Sequence, residues 1–200
     1  MSSSLDEITK IISKLPGLGP RSAKRLIFFL IKNKETLIPE LSNHLLKIKN
    51  ELLNCDECGN IDTLNPCSIC RDQNRDNKKI CIVEDASDLI AIENSSAFKG
   101  KYFVLGGVLS AIDGVGPEDL KINKLIKKVI SGSIEEIILA TNSTVEGQIT
   151  AQFIAEQFLD AKILITRLAQ GMPQGGELDY IDQGTLSTAI KSRNKFNTSL

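Results

Sequence analysis

The sequence predicts an α+β chain of several modules: an all-helical N-terminal segment, a four-cysteine finger, an α/β domain on a mostly parallel sheet, and a C-terminal extension. Three observations carry this. Two apolar helical stripes flank a break rich in glycine and proline, two Cys-x-x-Cys pairs lie close together, and from residue 80 short β-branched runs alternate with helical stretches. The modules are expected at 1–53, 54–78, 79–170 and 171–200. With 200 residues, 42% of them hydrophobic, the chain is long enough to bury a core. No run of about 18 apolar residues is present to span a membrane. The start, MSSSLDEITK, lacks the basic and apolar stretches of a signal peptide, so a cytoplasmic protein is expected.

In the N-terminal segment Leu5, Ile8, Ile11, Ile12 and Leu15 recur at helical spacing up to the break Pro16-Gly17-Leu18-Gly19-Pro20. Pro20 suits the first turn of a second helix, whose stripe is Ala23, Leu26, Ile27, Leu30 and Ile31. Gly17 and Gly19 permit backbone shapes closed to other residues, which lets amide N–H groups point outward at a helix start. Arg21, Lys24 and Arg25 follow, although the positive end of a helix dipole ordinarily favours acids. The rule is broken in the direction that phosphate binding requires. Charge along the chain agrees: residues 1–50 carry nine Lys/Arg against four Asp/Glu, while the whole chain has a formal charge of -1. The bland alternative is a helical corner whose glycines only make the turn. LPGLGPRSAKRL resembles the helix-hairpin-helix motif, which grips DNA backbones without reading sequence. A third stripe, Leu37, Leu41, Leu45, Ile48 and Leu52, is expected to pack under this unit or under its copy in another subunit. The single histidine, His44, is read as surface or packing.

Cys55-x2-Cys58 and Cys67-x2-Cys70 form two knuckles able to bring four thiolates to one tetrahedral ion. Protein fills all four positions, so the expected Zn²⁺ is structural and has no open site for chemistry. Cys81, within Ile80-Cys81-Ile82-Val83, is read as a buried small hydrophobe.

Strands are expected at 80–83, 102–105, 137–140 and 163–166, with helices near 86–93, 118–130 and 146–158 between them. Functional groups of such a sheet gather at the carboxyl ends of its strands, here Glu84-Asp85, Gly106-Gly107, Thr141-Asn142 and Arg167. Glu84 after one strand and ATNSTVEG (140–147) after another resemble the Toprim domain. Catalytic Toprim domains read DxDxEG at the second motif, and its aspartates join the first glutamate around magnesium. Asn142 and Thr144 occupy those positions, so a hard divalent ion finds an amide and a hydroxyl where it needs carboxylates. There is no phosphate loop of the GxxxxGK[ST] type. Gly114-Val115-Gly116-Pro117 imitates the first hairpin but leads into Glu118-Asp119, which would repel phosphate, and is read as a structural loop.

In this order the modules resemble the RecR family. The resemblance extends through GGVLS (106–110), DGVGPEDL (113–120), TRLAQGMP (166–173) and LDY (178–180). The family pattern has proline at Ser143 and glutamate at Gln148, and the latter change weakens any contact that needs an acid there. The resemblance implies a non-enzymatic recombination mediator in DNA repair. It would form a homo-oligomer, a tetramer or a dimer, and act with RecO and RecF to load RecA onto gapped DNA. By that likeness Gly17, Gly19, Arg21, Lys24 and Arg25 meet phosphates, and Glu84 and Glu146 meet RecO. Leu178–Asp182 has been likened to a Walker B strand and is expected to serve assembly. The competing readings are a magnesium-dependent nuclease or strand-joining enzyme, with Glu84 and Glu146 holding the metal, and an adaptor that binds only proteins.

Overall fold

The computed structural model describes residues 3–193; the outermost parts of the first and last expected modules, 1–2 and 194–200, lie outside the described residues. By compactness the chain divides into two units, 1–53 and 54–200.

The first unit is three helices, α1 (Ser3–Ile12), α2 (Pro20–Lys32) and α3 (Leu37–Glu51). α1 ends earlier than its stripe suggests, because residues 13–16 tighten into turns, with Lys14 N–H bonded to the Ile11 carbonyl and Leu15 N–H to that of Ile12. The unit's core is small: Ile12, Ala23 and Ile27 are buried, with Leu5, Leu18 and Leu26 packed against them. α3 buries nothing, and Leu41, Leu45 and Ile48 remain exposed. Of the two expected places for this stripe, its own unit leaves Leu41, Leu45 and Ile48 uncovered, and the other, a copy in another subunit, stays an expectation.

The second unit is built on four parallel strands in the order β4-β3-β5-β6: β3 (Asp76–Val83), β4 (Gly100–Val104), β5 (Glu136–Leu139) and β6 (Leu164–Arg167). Side chains of a strand alternate between faces, and each face has its own cover. Ile80 and Ile82 of β3, with Phe103 and Leu105, face α6 (Ile122–Ser131) and α7 (Val145–Glu156) through Leu125, Val129, Ala151 and Ile154. Cys81 and Val83, with Tyr102 and Val104, pack against Leu89 of α5 (Ala86–Asn94) and against the cysteine finger. The finger carries short strands β1 (Leu53–Asn54) and β2 (Ile61–Asp62) and one helical turn, α4 (Ser68–Arg71). Its cysteines thus form part of the core. Burial pushes the Cys81 thiol up to about 12, as suits an inert packing residue.

α6 starts at Ile122, four residues later than expected, because residues 117–121 are held as turns behind a bridge between Ser110 and Val115. Ser110 and Val115 exchange backbone hydrogen bonds, and the Asp119 carboxylate accepts the Gly116 N–H at 2.8 Å. This confirms a structural loop at Gly114–Pro117. Beyond β6, Leu178–Tyr180 is a 3₁₀ turn instead of a strand, with no strand beside it to pair with among the described residues, and α8 (Gln183–Lys191) follows. Among the described residues no helix is long and apolar enough to cross a membrane.

Candidate nucleic-acid interface, metal centre and sheet-end face

α2 presents the basic residues in one row. Arg21, Lys24 and Arg25 are exposed and spaced to share a face over its first two turns. Gly19 is the N-cap and offers the first turn no side-chain acceptor, and Pro20 occupies the first helical position. Only one glycine of the hairpin needs to be glycine for its conformation: Gly17 has φ +75°, whereas Gly19 has φ -80°, open to any residue. A Cβ at either position would meet nothing within 4 Å, so the hairpin faces open space. The basic row also borders a groove of about 890 Å³ that includes Phe28, Phe29 and Lys32. Phe28 and Phe29 are 46% and 55% exposed. Sequence reasoning missed these three, although Phe28 and Lys32 continue the spacing of Arg21 and Arg25. His44 is exposed on α3.

The four finger cysteines converge. Their sulfur atoms all lie within 4.8 Å of one another, with Cys58 to Cys67 at 3.6 Å and Cys55 to Cys70 at 3.9 Å. A tetrahedron of Zn–S bonds of ~2.3 Å places its sulfurs about 3.8 Å apart, so the arrangement fits such an ion. Protons shared among sulfurs this close distort the thiols. The hydrogen bond from Cys70 draws Cys58 down to about 5, while burial drives Cys67 up to about 11, and Cys70 is driven up by its bond to Cys58. A divalent ion relieves the crowding by neutralising several thiolates at once.

Lysines of the α/β domain hold the finger in place. The Lys101 ammonium donates to three carbonyls at the end of α4, those of Ile69 (3.0 Å), Cys70 (3.0 Å) and Asp72 (2.8 Å). Lys124 donates to the Asp56 carbonyl, and Lys128 pairs with the Glu57 carboxylate at 3.8 Å. Val104 N–H donates to the Cys58 carbonyl at 2.7 Å, extending strand pairing into the first knuckle. Gly59, at φ +79°, leaves no room for a side chain: a Cβ there would sit 2.9 Å from the Val104 carbonyl oxygen. Asp62 accepts from Ser68 N–H (2.8 Å) and hydroxyl (2.7 Å), which start α4, and these bonds draw its carboxyl down to about 2.

At the carboxyl end of the sheet Glu84 is 7% exposed, and Asn142 engages both its oxygens: the backbone N–H of Asn142 reaches Oε1 at 2.7 Å and Nδ2 reaches Oε2 at 2.6 Å. Thr144 caps α7 by accepting the Gly147 N–H at 3.1 Å. Glu146 lies in the first turn of that helix, half-buried, and the structure does not join it to the Glu84 carboxylate by any described bond. The two positions that depart from the family pattern touch each other, as Gln148 Nε2 donates to the Ser143 carbonyl at 3.1 Å, a bond that a glutamate could not make. Asn142, Ser143 and Arg167 also line a cleft of about 310 Å³ between the ends of β5 and β6. Magnesium does not fit the residues present, because it requires charged oxygens where the Asn142 amide and the Thr144 hydroxyl are bonded within the protein.

Three family models match in chain order: the RecR helix-hairpin-helix over residues 5–49, the Toprim domain over 78–169 and the RecR C-terminal region over 171–194. Curated relatives match almost end to end. The Recombination protein RecR of Novosphingobium aromaticivorans is 50% identical over 192 residues, 96% of this chain and 97% of the relative. The chain belongs to the RecR family. RecR proteins of Erythrobacter litoralis (49% over 192 residues, 96% of this chain and 97% of the relative) and Parvibaculum lavamentivorans (50% over 192 residues, 96% of each) agree. The three matched segments fall on the N-terminal helices, on the sheet with its helices, and on the 3₁₀ turn with α8.

Proposed function

We propose that this chain is a DNA-binding recombination mediator that holds gapped DNA in the cytoplasm for repair partners, RecO and RecF among them, and so promotes RecA loading without catalysis of its own. The observation that carries this reading is the basic row of Arg21, Lys24 and Arg25 over an uncapped helix start, exposed beside the Gly17 turn. Outward amides, a positive dipole end and cationic side chains together suit a phosphate backbone and carry no base readout. Gly17 and Gly19 would let the backbone approach the phosphates. Family membership supports the recombination role, since the relatives are named recombination proteins.

The finger would hold structural Zn²⁺ through Cys55, Cys58, Cys67 and Cys70. On the sheet-end face Glu146 would contact RecO directly, and Glu84, buried under Asn142, would contribute by shaping that face. The uncovered α3 stripe and exposed Leu178 and Tyr180 support assembly into a dimer or tetramer. Large exposed apolar surface of this kind marks an interface. The modules would keep the bounds 1–53, 54–78, 79–170 and 171–200.

The decisive test is DNA binding by the Arg21→Ala, Arg25→Ala double variant. Removing two phosphate contacts should weaken gapped-DNA affinity about equally for all sequences and reduce the slope of log K against log salt by about two. Unchanged binding would remove the hairpin from the DNA interface. Incubation of the wild-type chain with labelled gapped DNA and Mg²⁺ or Mn²⁺ should leave the DNA intact; cleavage lost in Glu84→Gln would restore the nuclease reading.

A further inference from the structure

At the carboxyl end of the sheet, each residue that replaces a metal-binding aspartate has an occupation of its own. Asn142 spends its backbone and side-chain N–H groups on the two oxygens of Glu84, at 2.7 and 2.6 Å. Thr144 spends its hydroxyl on the start of α7. Around them the turn is closed: the Thr141 hydroxyl donates to the Gly147 carbonyl at 2.9 Å. At Gly147 a Cβ would lie 2.3 Å from the Asn142 carbonyl oxygen and 2.7 Å from Glu84 Oε1. The helix backbone therefore passes directly over the carboxylate, leaving no gap to be filled.

A buried carboxylate must be neutralised or fully hydrogen-bonded. A divalent cation does this by bridging it to neighbouring carboxylates. Two N–H donors from one residue do it without an ion, and charge-assisted bonds of 2.6–2.7 Å are the short, strong kind. We infer that Asn142 performs here the structural task of a divalent cation: it ties the end of β3 to the β5–α7 turn, so the sheet-end face is fully assembled at any magnesium concentration. The converse follows from the same chemistry. Aspartate at 142 would lose the Nδ2 donor and set a second negative charge against Glu84, and the pair would then need an ion to close. This inference concerns the assembly of the face and holds whether or not a partner docks there.

The test is thermal unfolding of the full, zinc-loaded chain in buffer freed of other divalent ions by resin, so that no chelator strips the finger. Wild type should melt at the same temperature with and without millimolar Mg²⁺. Asn142→Asp should melt lower by roughly 5 °C, and Mg²⁺ or Mn²⁺ should restore most of that loss in a saturable way. Asn142→Ala should also melt lower but gain nothing from either ion. A wild-type protein stabilised by Mg²⁺ would overturn the inference, as would an Asn142→Asp protein that melts like wild type or whose loss neither ion relieves. Should Asn142→Asp fail to fold, Mn²⁺ titration of the isotope-labelled wild type decides instead. Amide signals of Glu84 and Asn142 to Gly147 should show no selective paramagnetic broadening; selective broadening there would overturn the inference.

Discussion

Residues 3–53 bury Ile12, Ala23 and Ile27 and little else, while the second unit fills both faces of its sheet with apolar side chains from two separate clusters. The contrast extends to polar groups. In the N-terminal unit Arg21 and Arg25 have no acidic side chain within 4 Å among the described residues. In the second unit Arg75 chelates Glu93, Lys101 satisfies three carbonyls, and Glu84 is bonded at both oxygens. The dense unit spends its polar groups on itself. The sparse one keeps cations and apolar side chains outward, which is the surface expected of a part that is completed by DNA and by other chains.

Depriving the four finger cysteines of the proposed ion should have the largest effect. Structural zinc supplies about 10–16 kcal/mol in small fingers, comparable with or greater than the whole stability of a typical domain. Because Cys55, Cys58 and Cys67 belong to the core on one sheet face, Cys58→Ser or zinc chelation should unfold that face as well as the finger. Hydrogen exchange should report lost protection in β3 and β4; an intact sheet with a melted finger would break the comparison, because the finger would then be an appendage. Next in size is Lys101→Met, which leaves three carbonyls without their shared donor and should cost about 2 kcal/mol in chemical denaturation. Smallest is Leu41→Ser with Leu45→Ser on α3. Both side chains are exposed, so fold stability should change by no more than about 0.5 kcal/mol, while light scattering should show a smaller assembly. A large loss of stability without a change in assembly would mean that α3 is covered within its own chain.

What the sequence made legible was local. The hairpin, the cysteine pairs and the strand–helix alternation are written in spacings of two to seven residues, and all appear in the structure. Long-range contacts were not legible. The bond from Asn142 to Glu84 spans 58 positions, Lys101 reaches back 29 to 32, and Lys124 reaches back 68. Lysines in α6 and β4 look like ordinary solvated charge until the fold sets the finger against them. Glu84 shows the same limit, since an acid at a strand end gives no sign that an amide far along the chain will cover it. Phe28 and Phe29 carry no local sign of exposure, because aromatic residues near a helical stripe are normally interior, and too little interior exists in the first unit to hold them.

The placement of the cysteines has a practical consequence. Four sit in the finger, three of them buried and Cys70 half-buried, and the fifth, Cys81, lies directly behind it in β3. Once the finger holds its ion, every thiol in the chain is shielded from alkylating reagents, so mass spectrometry of labelled protein becomes a clock for opening. Four labels arriving together record release of the knuckles, and a fifth records the moment when β3 itself leaves the sheet.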